Sequence, residues 1–345
     1  MTEARRMDEV LYRLPDATAW HRLTGKAIGL DGLGDLRGRS GFAFAPFHAD
    51  AKVPLVLLDV ATHEVMNVEP AATAKPHHIV EQESRQDYRR AFGRMQARMA
   101  GAGLRKVVLA RRADITLDEP LDAHGVFAKA CAMYPHQMVA LVSTTLSGTW
   151  LMATPEVLIE NLGETWTTMA LAGTMATPGP WSEKNTREQR IVADYIHDCL
   201  KRGCRLVSQQ PPRTVTAARL FHLRTDFEFA LRDGVDIVDV LTDLFPTPAV
   251  CGMPKREAME AILDDEALDR RYYSGFCGPW NMPMPTSQAS SVQDAATALY
   301  VSLRCMEMRG KSLSLYAGGG LLDESEEATE WEETEKKMQT MKALL

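Results

Sequence analysis

The chain has 345 residues, 45% of them hydrophobic and 25% charged, with a net charge of −7 and an isoelectric point near 5.8. That balance suits a globular protein with a large core and offers no basic face for nucleic acid or an anionic membrane. No run of about 18 apolar residues suggests a membrane span. The start, MTEARRMDEV, lacks the apolar heart of a secretory signal, and the six cysteines show no CxxC pairing. Reduced thiols and a cytoplasmic location are the expectation.

Residues 1–75 are the hardest to read. FAFAPF (42–47) and VPLVLLDV (53–60) look like strands between turns. GLDGLGDLRG (29–38) has dinucleotide-loop spacing but no clear strand before it or helix after it, so a flexible turn is expected. His77 and His78 show no metal-ligand spacing and are expected in a loop.

Beyond Glu81 the pattern changes. Tyr88, Phe92, Met95 and Met99 recur at helical spacing until GAG at 101–103. KVVLAR (106–111) reads as a buried strand, and a short helix is expected around 121–132. QMVALVST, TWLMAT, VLIENL and TWTTMALAG then read as consecutive antiparallel strands. A helix over 182–202 follows, capped by Ser182. TVTAARLFHL is strand-like, helices are expected near 234–244 and 255–264, and YYSGFCG, ALYVSLRCMEM and SLSLYAG supply three more strands. A helix over about 325–345 closes the chain. Many strands with inserted helices and no regular alternation argue for α+β.

The last helix carries the sharpest local pattern. Glu330, Glu333 and Lys337 share one stripe beside an apolar one of Trp331, Met338 and Leu345. Two carboxylates one turn apart suit Mg²⁺, and the same pattern suits a solvated face with a Glu–Lys pair. Glu188 could add a third carboxylate or lie on the surface. Lys106 and Arg111 bracket an apolar strand, where cations ordinarily reach for water. Glu156 follows a proline and opens an apolar run, where burial would raise its pKa. His222, Arg304 and AGGGL (317–321) are weak alone, and AGGGL lacks the GK[ST] of a phosphate loop.

Taken in order, KVVLAR, ATPE, LAGT, EKNTREQRIV, FHL, FPTPAVCG, RRYYSGFCG, SLR, YAGGG and EATEWEETEKK resemble the motifs of the chorismate-utilising enzymes. That family includes isochorismate, salicylate, anthranilate and aminodeoxychorismate synthases. The resemblance runs from about Lys106 to Lys337. It implies a single large α+β domain of two packed antiparallel sheets with helices outside, its catalytic core spanning 81–345. It also implies that Glu188, Glu330 and Glu333 bind Mg²⁺, which grips the ring carboxylate of chorismate. Arg304, Tyr273, Lys337, Gly318 and Gly320 match contacts to the enolpyruvyl carboxylate. Gly173 and Thr174 match a substrate-loop pair, and His222 a histidine near the ring. No obligatory protein partner is implied.

The activity implied is isomerisation of chorismate to isochorismate, by water addition at C2 and loss of the C4 hydroxyl. Lys106 matches the general base and Glu156 the general acid, so the lysine must be partly neutral and the carboxyl protonated. Ammonia-using relatives typically carry Gln where Lys106 stands, because ammonia needs no base to become a nucleophile. Ala249 lacks the hydroxyl that salicylate synthases usually carry there. Salicylate formation with loss of pyruvate, an ammonia-using synthase subunit and an inactive chorismate binder are the alternatives. The chain departs from the family at Gln189, Phe245 and Ala110, usually His, His and Ser. Whether the product feeds menaquinone or a siderophore is not written in these residues.

Overall fold

Every strand pairing among the described residues of the computed structural model is antiparallel. Those residues are 8–67, 79–82, 84–101, 103–161, 165–218, 220–266, 268–283 and 295–345. His77 and His78 lie outside them.

The strands form one hydrogen-bonded ribbon folded over on itself. One half runs from Lys106–Leu117 through Ser312–Leu321, Cys305–Arg309, Gly148–Thr154 and Met138–Thr144 to Asp8–Arg13. The other runs from Gly41–Ala45 through Phe276–Trp280, Ala295–Val301, Val157–Asn161 and Trp166–Met175 to Leu220–Leu231. Strands Ala19–Leu30 and Leu55–Asn67 join the halves. The N-terminal residues therefore complete the sheet system.

Between the halves lies an aromatic-rich core that includes Tyr12, Phe44, Trp150, Tyr272, Tyr300 and Tyr316. Fully burying side chains of this size is worth about 1.5–3 kcal/mol each, which drives the two faces together. Helices cover the outer faces. α1 (Arg85–Gly101) packs near Lys106–Leu117. α2 (Ala123–Met133) covers the first half, and α3 (Glu183–Gly203) and α4 (Ile237–Leu244) cover the second. α5 (Lys255–Asp265) lies beside α1, and α6 (Glu327–Lys342) packs on Ser312–Leu321. Ser182 caps α3 as expected, its Oγ accepting from Asn185 N at 3.2 Å. No described helix is long and apolar enough to cross a membrane.

Some details differ from expectation. GLDGLGDLRG contains a short 3₁₀ helix, Leu33–Leu36, fixed by burial of Leu36. TVTAARLFHL is two strands, with Arg213–Ala217 doubling back on Leu220–Leu231. ALYVSLRCMEM is also two strands, broken at 302–304, where Arg304 takes a positive φ of 46°. Strands Asp8–Arg13, Ala19–Leu30, Ile79–Gln82 and Cys204–Gln209 were not foreseen.

Candidate active site

The glycines of YAGGG explain where the site sits. In the ladder with Lys106–Leu117, Gly318 faces Ala110, Gly319 faces Leu109 and Gly320 faces Val108. A Cβ on Gly320 would stand 2.1 Å from Glu188 Oε1 and 2.8 Å from Lys106 Cε. One on Gly319 would stand 2.9 Å from Glu330 Oε2 and 3.6 Å from Glu333 Oε1. One on Gly318 would meet the Tyr273 hydroxyl at 2.9 Å. Charged side chains from α3 and α6 thus rest directly on bare backbone.

Above this floor lies a partly enclosed cleft. Glu156, Gly173, Thr174, Glu188, His222, Ala249, Tyr273, Arg304, Gly318, Gly320 and Lys337 all line it. Residues separated by up to 181 positions are therefore brought to one place. Lys106, Glu330 and Glu333 sit behind the lining, against Gly319 and Gly320.

Three lysines partner the three carboxylates. Lys106, fully buried, approaches Glu188 Oε1 at 3.0 Å and donates to Pro248 O at 2.8 Å. Lys184 Nζ lies 2.5 Å from Glu330 Oε1, and Lys337 Nζ donates to Glu333 Oε1 at 2.6 Å and to Gly318 O at 2.8 Å. Burial raises the pKa of Glu330 despite Lys184, whereas at Glu333 burial is outweighed by Lys337, Lys184 and His222 together, which hold it below the usual range. Glu330 is not on a solvated face: it is 1% exposed.

Glu156 sits in the short link between strands Gly148–Thr154 and Val157–Asn161, and is 3% exposed. Burial pushes its pKa up to about 8, against the pull of Lys106 and Lys337. Across the cleft, His222 Nδ1 donates to Gly173 O at 2.9 Å, and Arg304 donates to Nε2 at 3.1 Å. Burial and Arg304 drive its pKa down to about 3, so the ring is neutral and held in one tautomer. Gly173 adopts φ of 72° at a register break, which turns its carbonyl to the histidine. Arg304 also donates to Thr340 Oγ1 at 3.2 Å; burial draws it down to about 10, still charged at neutral pH.

Among the described residues, no three His, Cys, Asp or Glu side chains converge as a ready-made metal cage. Glu188, Glu330 and Glu333 share one glycine floor, each held by its own lysine. Their chemistry fits a hard cation all the same. Among the described residues Glu330 Oε2 is buried with no hydrogen-bond partner, and the Cβ-free cradle at Gly319 and Gly320 leaves room beside it.

Sequence reasoning missed Lys184, although its i,i+4 spacing to Glu188 puts both on one face of α3. It also missed Tyr316, Leu303 and Val250 in the cleft wall, which carry no local signal beyond hydrophobicity. The three departures are accommodated. Gln189 Nε2 donates to Ala170 O at 3.1 Å and Thr225 Oγ1 at 3.3 Å, tying α3 to the sheet. Phe245 packs edge-on against Phe276, and Ala110 donates its N–H to Glu266.

Residues 55–345 match the family model described as chorismate binding enzyme, so the chain belongs to that family. Its relatives narrow the class further. The chain is 27% identical over 321 residues to the vibriobactin-specific isochorismate synthase of Vibrio cholerae, covering 88% of this chain and 78% of that one. It is 30% identical over 286 residues to the isochorismate synthase DhbC of Bacillus subtilis, covering 77% and 69%. Among solved structures, MenF, the menaquinone-specific isochorismate synthase of Escherichia coli, superposes with a TM-score of 0.81 at 20% identity, covering 98% and 88%. Anthranilate synthase component I of Streptococcus pneumoniae gives 0.68 at 14% identity, covering 99% and 93%. These two likenesses establish that the fold is shared.

Proposed function

We infer that this chain is an isochorismate synthase, a magnesium-dependent isomerase that adds water at C2 of chorismate and expels the C4 hydroxyl. The observation that carries this reading is Glu156. It is a carboxyl kept protonated near neutral pH at the wall of a cleft, with the amine of Lys106 held behind the same floor. A neutral acid and an amine in one site are the pair that water addition with loss of hydroxide requires. The kinship to named isochorismate synthases supports the same reading.

In this mechanism Lys106 accepts a proton from the attacking water, and Glu156 gives its proton to the departing C4 oxygen. Arg304, Lys337, Tyr273 and the backbone of Gly318 and Gly320 hold the enolpyruvyl carboxylate, while Gly173, Thr174, His222 and Ala249 shape the remaining wall. Glu188, Glu330 and Glu333 would hold Mg²⁺. When bound, the cation supplies a counter-charge for the ring carboxylate. Chorismate held between cations and a neutral acid is fixed before any bond changes, which is where much of the rate enhancement arises.

The test is to incubate the protein with chorismate and Mg²⁺ and identify the products. Isochorismate without pyruvate is expected. Release of pyruvate without an added lyase would make the enzyme a salicylate synthase, and an amine product formed with ammonium salts would make it an ammonia-using synthase.

A further inference from the structure

Two segments hold Lys106. One is its own strand, in which Val108 lines the cleft. The other is the loop over 246–252, whose Pro248 carbonyl accepts from Lys106 Nζ at 2.8 Å and whose Val250 also lines the cleft. Backbone pairing between them is short: Val108 N donates to Cys251 O at 2.7 Å, and the ladder continues only through Gly252 and Met253.

A buried guanidinium bridges the same two segments. Arg270 Nη2 donates to Val108 O at 2.7 Å, and Nη1 donates to Val250 O at 2.8 Å. Glu266 holds the guanidinium from the other side, with Nε to Oε2 at 2.5 Å and Nη2 to Oε1 at 2.6 Å. Glu266 Oε1 also accepts from Ala110 N at 2.5 Å, so the carboxylate grips the strand that Lys106 begins. Both residues are almost wholly buried, and Phe47 lies under the guanidinium at 4.3 Å. These contacts close a ring: Lys106, two residues to Val108, Arg270, Val250, two residues to Pro248, and back to Lys106 Nζ.

We propose that Arg270, oriented by Glu266, is a positioning residue that fixes the Lys106 amine relative to the cleft. A planar fork can reach two carbonyls and a carboxylate at once, and a lysine ammonium is a point donor that cannot reproduce it. The side chains of Glu266 and Arg270 touch no residue from α3 or α6 in these contacts and reach the site through the strand and loop that hold the lysine; the Arg270 carbonyl also accepts from Tyr273 N at 2.9 Å, a backbone contact that a change of side chain leaves in place. This inference rests on Lys106 being the base.

The experiment is a kinetic cycle of Arg270→Lys and Lys106→Ala, singly and combined, with Arg13→Lys as control. Arg13 is another buried arginine, spending its donors on the carbonyls of Tyr134, Pro135 and Gln137, none of which lines the cleft. Arg270→Lys is expected to lower kcat by about 10- to 100-fold while chorismate KM changes less than about threefold, since small misplacements of a reacting group are costly. In the Lys106→Ala background the same change should cost less than about twofold, as expected when one residue acts through the other. Arg13→Lys should leave kcat and KM of the folded enzyme unchanged even where urea unfolding shows lost stability. If Arg270→Lys does not fold, Glu266→Gln keeps the shape and should lower kcat with KM held.

Parent-like kcat in whichever of these two variants folds, a full further loss in the Lys106→Ala background, or an equal kcat loss in Arg13→Lys overturns the proposal. Parent-like activity in Lys106→Ala alone would instead overturn the assignment of the base.

Discussion

Replacing Glu156 by glutamine keeps the size of the side chain and removes its titration. Below pH about 4.5 the carboxyl is neutral in both folded and unfolded chains. Between about 4.5 and 8 the unfolded chain gives up the proton and the folded one keeps it. The folded state then binds more protons, so this group's contribution makes stability fall as pH rises, by about 1.4 kcal/mol per pH unit. The total across that window is on the order of 5 kcal/mol, flat again above pH 8. Groups remote from Glu156 titrate too, but they cancel in the difference between variant and parent. Urea unfolding of both proteins from pH 5 to 9 should therefore show Glu156→Gln gaining on the parent up to about pH 8 and no further. The same variant should lose roughly 10²- to 10⁴-fold in kcat at neutral pH, because an amide cannot deliver the proton. Parent kcat/KM should decline above about pH 8 as the acid of the free enzyme ionises. A stability difference that does not change with pH, or a variant with normal kcat, would refute the reasoning.

Lys106→Ala should abolish turnover, a fall of roughly 10²- to 10⁴-fold, while chorismate binding is largely kept; steady-state kinetics with equilibrium binding to the variant checks both. Glu333→Gln should weaken Mg²⁺ binding measured calorimetrically, by about tenfold or more, and activity should fall with it; an unchanged metal titration counts against the carboxylate set. Gly320→Ala should cost most of the activity while circular dichroism stays native, because its Cβ would come within 2.1 Å of Glu188 Oε1.

The legible parts of the fold are those whose side chains carry their own instruction. Helix α3 was readable from Ser182 and its amphipathic face, and α6 from the stripe of Trp331 and Met338, both buried against the sheet. Strands such as Met138–Thr144 and Gly148–Thr154 announce themselves as apolar runs between turns. Asp8–Arg13 and Ala19–Leu30 do not, because long-range neighbours bury their residues: Arg13 ends beneath carbonyls 121 to 124 positions away. The break at 302–304 escaped for a related reason. Arg304 is held at positive φ by the fold around it, where its carbonyl accepts from Ala153 N and its guanidinium reaches His222.

The site was legible in a different way. No single residue identified it, and local reasoning about Glu188 or Lys106 favoured an ordinary surface role. Only the order of the motifs gathered them, and the geometry supplies the physical reason for that order. Three consecutive glycines let carboxylates from two helices lie on a strand, and that strand is laddered to the one Lys106 begins. Each buried charge there is expensive alone and tolerable only beside its partner. Glu330 is met by Lys184, and Glu333 by Lys337. Glu156 is the exception, a buried carboxyl with no ion-pair partner among the described residues, and burial raises its pKa to about 8. A core built for stability alone would have an apolar residue there, and the cost of keeping a titratable acid in that position is what the role of proton donor proposed for it would explain.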